Sequence, residues 1–171
     1  LQDGHVRLTG IDGTHGETRF SLDGVYNRTA NGHWNLALDH FNIERLSLDA
    51  DLMAALPSKL SKTLRKLDVS GHFQLDGDLY LSHDPRSIKP IHASWNMQLD
   101  TAGAAMSNEP RISGIYGGVQ FTGVYDDRGF RTNATVDVES LFLGRQQITK
   151  VSGPLWIDEK QLLAGSWART A

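Results

Sequence analysis

The residues best suited to proton transfer or metal binding are seven histidines, and they are dispersed at positions 5, 15, 33, 40, 72, 83 and 92. His72 and His92 fall on the polar positions of two alternating stretches, where they could meet across a strand pair. A metal site built on them would need a third ligand, and Asp76 or Asp78 is the nearest choice. The competing reading, and the one expected here, is a set of solvated strand histidines. The step Asp76-Gly77-Asp78 lacks the further acids and the loop length of a calcium loop. There is no cysteine, so neither disulfides nor thiol chemistry can operate. No GxSxG elbow, HExxH helix, Walker-type glycine loop or dinucleotide fingerprint is present. The expectation is a protein that is not an enzyme and uses no cofactor and no metal.

Composition narrows the classes further. A length of 171 residues suits one domain, residues 1–171, with enough chain to bury a core. A net charge of −3 argues against nucleic acid as a partner. No apolar run reaches the length of a membrane span, and no signal peptide is visible. The chain opens on Leu1 and has no Met before Met53, which reads as an excised or processed piece of something longer. Seventeen glycines with scattered Asn and Asp favour turns and kinks.

The elements that must position any function are strands. In DVSGHFQLDGDLYLS (68–82) the odd positions are apolar or glycine and the even positions polar, the signature of a strand with one dry and one wet face. As one strand it would span about 50 Å, against about 40 Å for a compact globule of this length. The sheet must therefore be elongated or the strand bent, with Gly71 and Gly77 the places for a bend. Upstream, residues 5–10 alternate weakly and lead into a glycine-rich loop, and 18–26 is a strand. Asn31-Gly32 predicts a type I′ hairpin. HWNLALDHF follows with Trp34, Leu36 and Leu38 on one side, and then Ile43, Leu46 and Leu48 show no settled period. Downstream, HDPRSIKP (83–90) is a loop, 91–99 alternates cleanly, and TAGAAMSNEP is a turn region. Residues 118–125 and 130–138 form a hairpin through Asp126–Gly129. Short strands finish the chain, with a tight turn at Asp158–Lys160.

One segment breaks the pattern. Leu52, Met53, Leu56, Leu60, Leu64 and Leu67 recur at helical spacing, with Asp51 as a cap and Pro57 either kinking the helix or opening a second one. Lys59, Lys62, Arg65 and Lys66 lie on the other side of the wheel. The predicted fold is mainly β: a curved antiparallel sheet of about ten strands, an open or taco-like groove, with one amphipathic helix at about 51–67.

The dry face is the candidate site. Phe73, Leu75, Leu79, Leu81, Ile91, Trp95, Met97, Leu99, Val119, Phe121, Ala134, Val136 and Val138 can all point one way. Either a second sheet folds onto them as an ordinary core, or the face stays partly open and holds lipid chains. One helix is too small to cover so long a sheet. The helix in turn is a lid on the sheet end, or its basic residues touch anionic headgroups at a membrane surface.

A loose tripeptide, hydrophobic-Ser/Thr-Gly, recurs as Leu8-Thr9-Gly10, Val69-Ser70-Gly71, Ile112-Ser113-Gly114 and Val151-Ser152-Gly153. With the strand-turn-strand phrase VSGPLWIDEKQLLAG and the helix-then-strand joint LDADLMAALPSKLSKTLRKLDVSGHFQLDGDLYL, it resembles the AsmA-like proteins of bacterial envelopes. Their wider relatives are the repeating β-groove lipid-transfer proteins. The resemblance covers most of 45–165. It implies a taco-like groove, phospholipid or another acyl lipid moving along it, and a periplasmic or envelope location. It also implies a membrane anchor and further segments elsewhere in the parent chain, and no catalytic residues. The readings from other classes are a structural β-sandwich module binding protein or glycan through its wet face, and a self-contained unclosed-barrel lipid carrier.

Overall fold

The computed structural model describes residues 3–55, 58–158 and 162–165. The elements run β1 (Gly4–His15), β2 (Thr18–Arg28), β3 (Trp34–Ser47), α1 (Ala50–Ala55), α2 (Ser58–Leu67), β4 (Val69–Ser70), β5 (His72–His83), β6 (Ile91–Met106), β7 (Ile112–Asp126), β8 (Gly129–Leu143), β9 (Gln146–Asp158) and β10 (Leu162–Ala164). All ten strands belong to one antiparallel sheet in which sequence neighbours are spatial neighbours, with β4 pairing to β6 beside β5. The sheet is open, with β1 at one edge and β10 at the other. This is the mainly β, unclosed antiparallel fold that the alternation predicts.

The strands are long because the polar/apolar alternation persists. The longest, β6, has 16 residues, about 50 Å of extended chain. The central ribbon bends where glycine allows it. At Gly71 (φ 116°) pairing is interrupted between β4 and β5, and a Cβ there would lie 2.8 Å from the Ala104 Cα. At Gly77 (φ 144°) a Cβ would lie 2.1 Å from the Asn96 carbonyl oxygen. Each left-handed φ is one that a side chain rarely adopts.

Several predicted loops are strand. The glycine-rich stretch after residue 10 continues β1 through a bulge between Leu8 and Ile11, where Gly10 (φ 59°) takes the left-handed turn. Its N–H is held by the Asp23 carboxylate at 2.6 Å. The small residues 101–106 continue β6, and the segments SLFL and QQITKVSGPLWID belong to the full lengths of β8 and β9. The β2–β3 hairpin stands where Asn31-Gly32 places it, but its loop runs over 29–33. Gly32 N–H donates to the Thr29 carbonyl, and Gly32 alone of the two has positive φ, so the turn is not type I′. The unsettled period at 40–48 is β3 crossing two bulges, at Leu38/Phe41 and Ile43/Leu46, with His40 (φ 56°) and Arg45 (φ 54°) left-handed. Each bulge shifts the side-chain phase by one residue, which erases a two-residue period from the sequence.

The predicted single helix is two short ones. The cap of α1 is Asp49 rather than Asp51: its Oδ1 accepts from Leu52 N–H at 2.8 Å, while Asp51 sits inside the first turn. Leu56, Pro57 and the turn residues Glu159 and Lys160 lie outside the described residues. The helices sit at the sheet end that also carries the tips at 15–18, 106–112 and 143–146. Asp51 reaches His15 Nε2 at 3.4 Å, and Asn108 donates to the Lys66 carbonyl at 2.5 Å. The opposite end carries the loops 29–33, 84–90 and 127–128.

Candidate functional site

Directly opposed residues in neighbouring strands put their side chains on the same face, so the register reads the faces out. One row runs across the whole sheet: Leu8, Gly24, Leu38, Leu79, Trp95, Gly123, Thr132, Ile157 and Leu162. A parallel row is Gly13, Phe20, Ile43, Leu75, Leu99, Val119, Val136 and Gly153. The thirteen residues singled out from the sequence, Phe73 through Val138, all stand on this one face. Sequence reasoning left Phe41, Ile43 and Leu46 out because the β3 bulges hide them. It also misses Leu155 and Ile157, because the sequence of β9 reads as short pieces.

The opposite face is polar in the same ordered way. Asn42, Asp76, Gln98, Gln120 and Thr135 form one cross-strand row. The Asn42 Oδ1 in that row is buried without a hydrogen-bond partner.

No second layer covers the apolar face among the described residues. The buried hydrophobic residues are Met53, Ala104 and Ala134, and no large side chain is fully buried. Of the thirteen face residues only Ala134 is buried; eleven others are half-exposed, and Ile91 is 50% exposed. The chain exposes 11506 Å². A compact globule of its 18.9 kDa mass would expose about 8,300 Å². The ordinary-core expectation therefore fails for this fold, since folding a sheet onto itself would bury Leu79, Met97 and Phe121 outright.

Within the face Trp95 lies flat. Its ring crosses Gly123, where a Cβ would come within 2.4 Å of Cζ2, and its Nε1–H donates to Thr132 Oγ1 at 3.1 Å. Phe130 stacks on it with centroids 5.3 Å apart. With its only polar atom satisfied inside the face, the indole presents hydrocarbon outward.

His72 and His92 do not meet. In the β5–β6 ladder His92 opposes Ser82, while His72 lies beside Phe73, which opposes Thr101; the two imidazoles stand about 30 Å apart along the strands. Among the described residues no group of three or more His, Cys, Asp or Glu is placed to hold a metal. Imidazoles instead tie the loop end together, His33 Nδ1 to Asp84 at 3.5 Å and His92 Nε2 to Asp127 at 3.5 Å. Asp127 accepts from Lys89 N–H at 3.0 Å and from the Ser87 hydroxyl at 2.8 Å. These bonds, the backbone one foremost, hold its carboxyl below the usual carboxylate range. Asp126 is lowered chiefly by its hydrogen bond from Arg131, at 2.7 Å.

On the helices Met53 and Ser61 are buried and Leu64 is half-buried, while Lys62, Arg65 and Lys66 are exposed. Leu67, expected on the packed side, is 40% exposed, because α2 ends there and the chain turns through left-handed Asp68 (φ 51°). The Lys59 side chain lies outside the described residues. No helix among the described residues is long and apolar enough to cross a membrane.

Comparison with protein-family models, with curated proteins and with solved structures gives no match in any of the three.

Proposed function

We propose that this protein is a non-catalytic lipid-binding or lipid-transfer segment of the AsmA-like type, shielding acyl chains along its apolar sheet face in the periplasm or cell envelope. The observation that supports this reading is the uncovered apolar face that runs from β1 to β10. Monomeric soluble proteins rarely leave a contiguous apolar surface of more than a few hundred Å² without a binding role. An acyl chain laid on such a face gains roughly 0.8 kcal/mol per buried CH₂. It needs no particular polar contact, which agrees with a site made of aliphatic and aromatic side chains and one methionine. A β-sandwich binding module would need a second sheet, and the described strands form one. On this reading the partners are a phospholipid or other acyl lipid and further segments of the same parent chain. The helix pair caps or gates one end of the face, with Lys62, Arg65 and Lys66 toward a membrane surface.

The test is native mass spectrometry of the purified protein, with organic extraction of whatever is bound. Wild type is expected to carry phospholipid or fatty acid. The double variant Leu79→Asp/Met97→Asp is expected to lose most of it while keeping its far-UV circular dichroism. Lipid retained at wild-type stoichiometry by the folded double variant, or a wild type that stays empty after incubation with lipid, overturns the reading.

A further inference from the structure

At the loop end of the sheet one side chain stands apart. Ile88 is 90% exposed, whereas no other large apolar residue among those described exceeds 50%. It sits in the 84–90 loop, between Pro85 and Pro90, and the loop is braced from several sides. Asp84 N–H donates to the Pro90 carbonyl at 2.8 Å, and Ser87 N–H donates to the Asp84 carbonyl at 3.1 Å. The Asp84 carboxylate accepts from Arg86 N–H at 2.9 Å, and the Asp127 carboxylate from Ser87 and Lys89. A flexible loop would let an isoleucine fold back onto the sheet; this bonding holds it outward. Arg86 is exposed beside it in sequence, and Arg128 is exposed on the neighbouring β7–β8 turn. The acids of the 84–90 loop and the β7–β8 turn, Asp84, Asp126 and Asp127, accept from backbone N–H groups of those same loops. Ile91, the last residue of the apolar face at this end, follows three positions later.

We infer that the 84–90 loop is a membrane-contact lip: Ile88 enters the headgroup–acyl boundary of an anionic bilayer while Arg86 and Arg128 meet lipid phosphates. An apolar side chain flanked by cations on a rigid tip fits that interface, where hydrocarbon lies just below negative charge. The lip lies at the opposite end of the sheet from the basic helix. It adds to the lipid-track reading the place where a chain would leave the bilayer for Ile91. It does not depend on that reading, because vesicle binding and lipid occupancy are measured separately.

The experiment is cosedimentation of the full chain with phosphatidylcholine vesicles containing 30% phosphatidylglycerol in low salt, together with Ile88→Asp, Ile88→Trp and the helix variant Lys62→Glu/Arg65→Glu/Lys66→Glu. Wild type is expected to partition measurably. Ile88→Asp should bind about tenfold more weakly, the burial of one large apolar side chain being worth at least one such factor. Because Ile88 touches so little of the protein, its thermal midpoint should not move. Ile88→Trp should show a blue-shifted emission on vesicles. The inference is overturned by absence of partitioning, by Ile88→Asp binding as well as wild type, or by loss of binding in the helix variant with Ile88→Asp unaffected.

Discussion

The pairing of β5 with β6 and the pairing of β1 and β3 with their neighbours solve the same problem differently. From Phe73↔Thr101 to His83↔Ile91 the central ladder runs without a shift, bent by a glycine that stays in register. The outer strands β1 and β3 bend through bulges, with an extra residue in the left-handed region and a carboxylate on the next strand to receive its N–H: Asp23 for Gly10, Asp78 for His40. In both regions the apolar residues end on one face. What differs is the route: the centre keeps its period and needs a glycine, whereas the outer strands give up the period and tolerate a side chain.

This contrast can be broken most sharply at Gly77. Gly77→Ala forces a Cβ toward the Asn96 carbonyl at a φ hostile to alanine, and should cost about 3 kcal/mol or more. Gly10→Ala is left-handed too, but no atom lies within 4 Å of its Cβ position, so about 1 kcal/mol is expected. Urea denaturation of the two variants side by side measures the difference. If they cost the same, the close backbone approach in the centre is not what fixes Gly77. A smaller effect of opposite sign is expected at the β3 bulge. His40→Gly relieves a left-handed side chain and should stabilise by about 0.5 kcal/mol, read as a shift of the urea midpoint.

The smallest effect concerns the loop end. Asp126 and Asp127 titrate below the ordinary carboxylate range when folded, so their contribution is fully present above the unfolded value and is lost as pH falls through the folded one. Hydrogen exchange of the Lys89 amide should therefore stay slow at neutral pH, after correction for intrinsic rates, and lose protection below about pH 4. Asp127→Asn should lose part of that protection at every pH and flatten the acid step. An unchanged acid step in that variant would assign it to another group.

Much of the sheet was legible in the sequence because one apolar and one polar face write a two-residue period. Residues 72–83, 91–99 and 118–138 show it, and the register joins them as the alternation implies. Where the chain was misread, the period had been reset by one residue: at Thr9-Gly10, at His40 and at Arg45. Small residues misled in another way. TAGAAM reads as a turn by composition, yet it is the end of β6, with Ala104 1% exposed against Gly71. The candidate face was legible as a list of residues, and one helix being too small to cover it pointed to an open face, with an ordinary core as the alternative. Periodicity reports that a face is apolar and is silent on whether another layer lies upon it. Ile88 was invisible for the same reason, since an isolated isoleucine between two prolines carries no period at all.

The bulge at Gly10 lies on one outermost strand, and the strand at the other side of the sheet carries a left-handed residue of its own. Lys150 (φ 56°) stands in β9 within the stretch 146–153 that β10 does not pair with. The run on β1 is thus put out of step midway, while β9 passes its left-handed residue without a change of register. A stray strand laid along β1 could satisfy only part of its amide groups before losing alignment, and the charged Arg7 and Asp12 lie along that run, as Lys150 does along β9. An unclosed sheet invites aggregation by its edges more than by its greasy face. Here the one-residue bulge of β1 and the charged side chains along both outer strands serve as the guard against it.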